Sequence, residues 1–301
     1  MTREYRTAAA FKQALEQRLR AASTSGIDFA RRRQLVVFDR FLARIAVELG
    51  DAATLKGGLA VELRIERART TKDVDLRVMG PPDDILDRLR SAANRDLGDS
   101  MVFAIRPDPR HPDIQNDGMQ YDGVRFRAEC SLAGKVYGRP FGVDVAFGDP
   151  ILGEPEVIVA EDTLAFAGIA PPRLRVYPVE THLAEKLHAY TMPRARPNSR
   201  VKDLPDLALI ATAGPLEASR LRAAIEQTFA FRSTHDVPQE LPSPPATWER
   251  PYAAIASEDD LQWSTLDDVF EAARAFLDPV LAGQSDGCWD PSRWSWTGGK
   301  E

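Results

Sequence analysis

Asp73 and Asp75 stand one residue apart in "KDVDLRV", about fifteen residues after the glycine pair of "LKGG". The segment alternates polar and apolar residues with the period of a half-buried strand, so both carboxylates belong to one face and Val74 and Leu76 to the other. Two carboxylates about 7 Å apart along a strand suit a hard, oxygen-seeking cation such as Mg²⁺. A two-metal phosphoryl-transfer site asks for a third from a neighbouring strand. In "FGVDVAFGD" Phe141, Val143, Val145 and Phe147 share one face, which leaves Asp144 on the other between the small Gly142 and Ala146. A carboxylate in so apolar a strand is costly unless a partner or metal meets it. Lys56, Gly57 and Gly58 complete the set. A glycine turn lets backbone N–H groups approach phosphate oxygens with no Cβ in the way, and a helix starting there favours anions. On this reading the glycines hold a triphosphate and the aspartates hold its metals. A glycine pair alone is usually a turn, and a lone Asp-x-Asp is often a surface strand pattern. Their order and spacing together point to chemistry.

Those residues need elements to hold them. Leu35, Phe38, Leu42, Ile45 and Leu49 form one helical stripe ended by Gly50, and Phe11, Leu15 and Leu19 suggest a shorter helix before it. "TLKGG" reads as an extended piece entering a turn, "LAVELRI" as a helix starting at the glycines, and "DDILDRLRSAAN" as another helix. "MVFAIRP", "VRFRAECSL" and "KVYGRPFGVDVAFGD" are strand patterns divided by turn residues. Past Pro150 the pattern turns helical, with "VETHLAEKLHAYT", then "LPDLALIATAG" with Pro205 in its first turn, and "VPQELPSPPATWERP" as a proline-rich linker or excursion. The expected fold is α/β (α+β) and bilobal. Residues 1–155 form N-terminal helices and an α/β domain with a mixed sheet, and residues 156–301 form a mostly helical domain, the boundary lying between Gly153 and Val159.

The 301 residues can bury a real core. Two cysteines, Cys130 and Cys288, are too few for a disulfide framework and too far apart for a zinc site, which fits a reducing cytoplasm. No apolar run is long enough to cross a membrane, and the charged amino terminus has no apolar core of a signal peptide. The net charge of -6 argues weakly against nucleic acid. Its distribution argues otherwise: residues 1–44 carry ten basic and four acidic side chains and residues 173–202 seven and two, so a basic surface could be assembled from separate segments.

Gly57-Gly58, Asp73-x-Asp75 and Asp144 resemble the motif set of the DNA polymerase β nucleotidyltransferase superfamily. More closely, "LKGGLAVELRIERARTTKDVDL", "FGVDVAFGDP" and "HLAEKLHAY…SRVKDLPDLALI" resemble the AbiEii group, the abortive-infection and MenT-like nucleotidyltransferase toxins, across residues 52–210. The resemblance implies a bilobal toxin that uses Mg²⁺ or Mn²⁺ and a nucleoside triphosphate, transfers a nucleotidyl group to RNA at the tRNA 3′ end, and is silenced by a cognate antitoxin. It makes Asp73, Asp75 and Asp144 metal ligands, with Asp144 acting on the attacking hydroxyl. It also places Lys56, Gly57, Gly58 and Arg69 around the nucleotide and matches Lys186 and Asp203 to the family's later motifs. Helical spacing independently sets Lys186 beside the Leu183–Leu187 stripe, where an ammonium could reach a triphosphate or simply snorkel at the surface. Asp203 also suits a helix N-cap. Pro205 departs from the bulky residue usual in relatives, which implies a helix beginning one turn late and leaves Asp203 and Asp206 competing for one role. His182 and His188, six apart, read as structural or surface residues, and Trp289, Trp294 and Trp296 as a packed cap rather than a base-stacking platform. The other open readings are a nucleotidyltransferase acting on a protein or an aminoglycoside-like small molecule, and a non-catalytic nucleotide-binding module.

Overall fold

Thr7 opens the first helix, α1 (Ala8–Ala22), by accepting a hydrogen bond from the Ala10 N–H at 3.2 Å. Ser25 does the same for α2 (Gly26–Leu49) through the Asp28 N–H at 3.1 Å. Such caps satisfy N–H groups that have no partner inside the helix. This computed structural model describes residues 5–65, 71–110, 123–194 and 200–298. After α2 come β1 (Ala53–Lys56), α3 (Gly57–Arg64), β2 (Asp73–Val78) and α4 (Ile85–Ala93). Strands follow: β3 (Met101–Pro107), β4 (Gly123–Leu132), β5 (Lys135–Val136), β6 (Phe141–Ala146), β7 (Glu156–Val159) and β8 (Arg173–Val176). Then come α5 (Val179–Thr191), α6 (Asp203–Ile210), α7 (Ala218–Arg232), α8 (Glu249–Glu258), α9 (Leu266–Leu281) and a closing hairpin of β9 (Cys288–Asp290) and β10 (Ser295–Thr297).

The main sheet runs β3-β4-β6-β2-β1-β8-β7, with β5 added on β4. It is mixed, as expected: β2 and β6 are parallel, as are β1 and β8, while its other neighbours are antiparallel. One face is buried under α1, α2 and α4, where Phe38 and Phe41 pack edge-on against Phe141 in one core with Val74, Leu76, Val143 and Val145. The strand alternation therefore leaves Asp73, Asp75 and Asp144 on the opposite face. A second core is built from α5 to α9. Leu59 and Ala60 of α3 pack into the first core and Val61 into the second, so this helix joins the two.

Three expectations need correction. The sheet does not end between Gly153 and Val159. β7 and β8 complete it, Val176 pairing with Leu55 of β1, so the change to helix comes at Val179. Nonlocal pairing recruited two short strands whose own pattern is weak. The helix containing Pro205 does not start one turn late. It begins at Asp203, and proline is tolerated because its missing N–H would have had no partner in the first turn. Nor do the arginines of residues 1–44 simply form a surface. Arg40 and Arg44 are buried around Asp99, and Arg31 pairs with Glu62 at 2.9 Å. The proline-rich stretch is fastened down: the Leu241 N–H donates to Asp278 and the Tyr190 hydroxyl to the Pro242 carbonyl, each at 2.7 Å. No helix among the described residues is long and apolar enough to cross a membrane.

Candidate active site

Register brings the predicted residues into line. Lys56 of β1 lies opposite Asp75 of β2, Asp75 opposite Asp144 of β6, and Asp144 opposite Arg125 of β4. One residue from each of four adjacent strands thus forms a row across the sheet's open face. The row floors a cleft of about 310 Å³. Gly57 and Gly58 line it at the start of α3, and the far wall comes from α5 with His182, Glu185, Lys186 and His188, from Arg200 and Asp203, and from Arg232 at the end of α7.

The glycines have a reason the sequence did not show. Gly57 has a φ of +70°, a region that L side chains rarely adopt, and a Cβ there would lie 1.9 Å from Asp75 Oδ2. The space kept free of a side chain is filled by the carboxylate itself. Gly142 does the same for the other aspartate: its N–H donates to Asp73 Oδ1 at 3.0 Å, and a Cβ would come within 2.6 Å of that oxygen.

Acid is concentrated around Asp75. Burial pushes the Asp75 carboxyl up to about 6, the charges of Asp144 and Asp73 push it the same way, and Lys56 and Lys186 oppose them. A divalent cation would relieve that repulsion, and aspartate oxygens are the donors Mg²⁺ and Mn²⁺ prefer, so the donor chemistry fits. Yet among the described residues no three acidic, His or Cys side chains converge to hold a metal as they stand. Arg125 accounts for Asp144, donating from Nε to Oδ1 at 2.7 Å and from Nη2 to Oδ2 at 2.6 Å. Asp73 turns toward Gly142 rather than lining the cleft.

Lys56 faces the cleft but is engaged, at 2.5 Å with Asp149 and 2.9 Å with Glu185. Arg232 bridges the same two carboxylates at 3.0 and 3.4 Å. This knot ties the strand entering the glycine turn to α5 and α7. Lys186 is buried, not snorkelling. It donates to Asp206 at 2.6 Å and lies 3.7 Å from Asp203, whose other oxygen is 3.6 Å from Arg200. Asp206 is therefore the closer partner of the lysine, while Asp203 lines the cleft as the first residue of α6 rather than its N-cap. His182 and His188 are not surface residues. Both are buried and line the cleft, and burial, helped by His235, holds His188 down at about 4 while its Nε2 is hydrogen-bonded to the Thr234 hydroxyl at 2.8 Å. Arg69 lies outside the described residues.

Five cleft or knot residues escaped sequence reasoning: Arg125, Asp149, Glu185, Arg200 and Arg232. Arg125 alternates onto the same side of β4 as Asp144 does on β6, but only register pairs them. Asp149 opens an Asp-Pro turn and Glu185 adjoins Lys186, weak signals each, and nothing local marks Arg232. The tryptophans form the expected cap. Trp289, Trp294 and Trp296 crowd together around Phe276, and their indole N–H groups donate to the carbonyls of Ala211, Ala272 and Phe276.

Comparison with known proteins adds a family. The model described as "Nucleotidyl transferase AbiEii toxin, Type IV TA system" matches residues 40–289. No curated protein matches the sequence. Among solved structures the chain is similar to MenT4, a nucleotidyltransferase toxin from Mycobacterium tuberculosis H37Rv, at 15% identity and a TM-score of 0.58, covering 94% of this chain and 92% of that one. It also matches JHP933 from Helicobacter pylori at 16% identity and a TM-score of 0.42, covering 87% and 91% of the two chains.

Proposed function

We propose, since the chain belongs to the AbiEii family of nucleotidyltransferase toxins of type IV toxin–antitoxin systems, that it moves a nucleotidyl group from a nucleoside triphosphate onto RNA, with the tRNA 3′ acceptor end as the target and the cytoplasm as the place of action. That it is a nucleotidyltransferase follows from the family. The family's pairing also implies an antitoxin. The observation that carries the reading is the row of Lys56, Asp75, Asp144 and Arg125 beneath the glycine start of α3. It sets an acidic centre against a turn suited to phosphate.

Asp73 and Asp75 would hold a divalent cation, Mg²⁺ or Mn²⁺, with Asp144 as the third carboxylate. The cation supplies charge neutralisation at the phosphates. The chain's own contributions are separable. Backbone N–H groups at Gly57 and Gly58 receive phosphate oxygens at the positive end of α3. Lys186, together with Lys56, faces the triphosphate from the walls, where an ammonium in a dry cleft acts strongly on phosphate charge. Asp144, whose two oxygens accept from Arg125, is the carboxylate that would draw the proton from the attacking 3′-hydroxyl. The bond from the 3′-oxygen to the α-phosphorus forms, the α–β anhydride bond breaks, and pyrophosphate leaves. Asp206 at 2.6 Å and Asp203 at 3.7 Å position Lys186.

The test is to incubate the protein with Mg²⁺, unfractionated tRNA and each α-labelled nucleoside triphosphate in turn, then resolve the products on a denaturing gel. Label on tRNA from wild type and none from Asp75→Asn supports the reading. Nucleotide binding with no label on any RNA sinks it.

A further inference from the structure

A second row of the sheet lies one pair of residues away from the first. Asp73 of β2 is opposite Gly142 of β6, Gly142 is opposite Arg127 of β4, and Arg127 is opposite Arg106 of β3. Both rows end in arginine on the same side. Arg125 and Arg127, two apart on β4, share the open face with Arg106, and a groove of about 340 Å³ adjoins them, lined by Arg106, Arg110 and Arg127 and by two carboxylates, Asp108 and Glu129. Like charges directly opposite across an antiparallel pair destabilise a sheet, so the Arg106–Arg127 pairing is unfavourable unless something anionic lies over it. Arg127 has Asp108 at 2.9 Å, whereas Arg106 has no carboxylate partner among the described residues. Arg125 gives Nε and Nη2 to Asp144 and keeps its Nη1 donors, with its side chain 38% exposed.

Direction matters here. The glycine turn and Lys56 stand at the β1 end of the row, which assigns that end to the triphosphate. Arg125 stands at the opposite end, next to the carboxylate placed for the attacking hydroxyl. The geometry points to Arg125, Arg127 and Arg106 as the track that receives the phosphodiester backbone of the acceptor strand, which therefore enters the cleft across the open face of β4 and β3. Arg106 is two strands across and two residues along from Asp144, about 12 Å at ordinary strand dimensions, within reach of phosphates close behind the reacting end. The acceptor is consequently a polyanion whose backbone is read without regard to base. This rests on the reading of an RNA acceptor given above.

The experiment uses the full chain with unfractionated tRNA and the nucleoside triphosphate it incorporates. Three forms are compared: wild type, Arg106→Glu, and the double variant Arg106→Ala/Arg127→Ala. Arg106→Glu disturbs no ion pair and serves if the double variant proves unstable. Expected are a tenfold or greater rise in KM for tRNA in both, a nucleotide Kd within twofold of wild type, and a salt dependence of tRNA binding shallower by about 1.4 in the double variant, two contacts at about 0.7 each. Unchanged KM for tRNA and unchanged salt slope in folded variants overturn the track while leaving the RNA reading in place. A wild type that labels a protein or small molecule but no RNA overturns both, and that outcome is visible without any variant.

Discussion

Two clusters of buried charge sit on opposite sides of the same sheet, and they are built differently. Around Asp99, Arg44 places Nη1 and Nη2 on the carboxylate at 2.8 and 2.7 Å, and Arg40 adds Nε at 2.7 Å. Burial works against ionisation there, yet the two guanidiniums hold Asp99 below the ordinary carboxylate range. In the cleft, burial and two neighbouring carboxylates drive Asp75 the other way, up to about 6. The first cluster meets its one carboxylate with two guanidiniums and binds α2 to the start of β3. In the second, carboxylates crowd one another around Asp75, and that repulsion is what an incoming cation would answer. The two shifts run in opposite directions because Asp99 is met by guanidiniums and Asp75 by other carboxylates.

Breaking each cluster should have opposite consequences. Asp75→Asn is expected to lower nucleotidyl transfer by about 10³-fold or more, the scale on which electrostatic contributions at reacting phosphates act, while the urea midpoint stays at or above that of wild type. A labelled-nucleotide assay beside a denaturation curve checks both. Asp99→Ala is expected to destabilise the fold by about 3–5 kcal/mol, because Arg40 and Arg44 would stay buried without a carboxylate. Its specific transfer rate per folded molecule should change little, and a large loss of rate at full foldedness would count against a purely structural role.

Gly57→Ala sharpens the contrast, since the glycine belongs to the cleft by both backbone and space. Its φ of +70° and the 1.9 Å approach to Asp75 predict a loss of about 1–3 kcal/mol together with displacement of the carboxylate. Gly98 also has positive φ but has nothing within 4 Å of its Cβ position, so Gly98→Ala should carry only the backbone penalty and keep full activity. The smallest effect concerns His188. Its value of about 4 lies below the ordinary 6.5, so it stays neutral in the fold while the unfolded chain takes up a proton. Stability from this group is fully present above about pH 6.5 and is lost as pH falls from there through 4. His188→Gln should flatten that part of the stability profile, and denaturant midpoints measured between pH 7 and 4 would reveal an unchanged slope if His188 were not responsible.

Local pattern carried much of this. The alternation through Asp73–Val78, the glycine pair and the stripe through Leu35 to Leu49 were legible because period and turn chemistry act over a few residues. Hence the mixed α/β architecture, the joint presence of Gly57, Gly58, Asp75 and Asp144 and the helix bearing Lys186 could be read from the chain. β7 and β8 were illegible because their place in the sheet depends on pairing with β1 rather than on their own composition. The Arg125–Asp144 clamp and the knot of Lys56, Asp149, Glu185 and Arg232 were illegible for the same reason, as were the buried fates of Arg40 and Arg44. What the amino-acid sequence determined by itself was which side chains exist to do phosphoryl chemistry and which face of each element they occupy. Only the tertiary structure decided which of them meet, because strand register and helix docking join residues as far apart as 93 and 129 positions, and ion pairing depends on separation in space and on burial rather than on position in the chain.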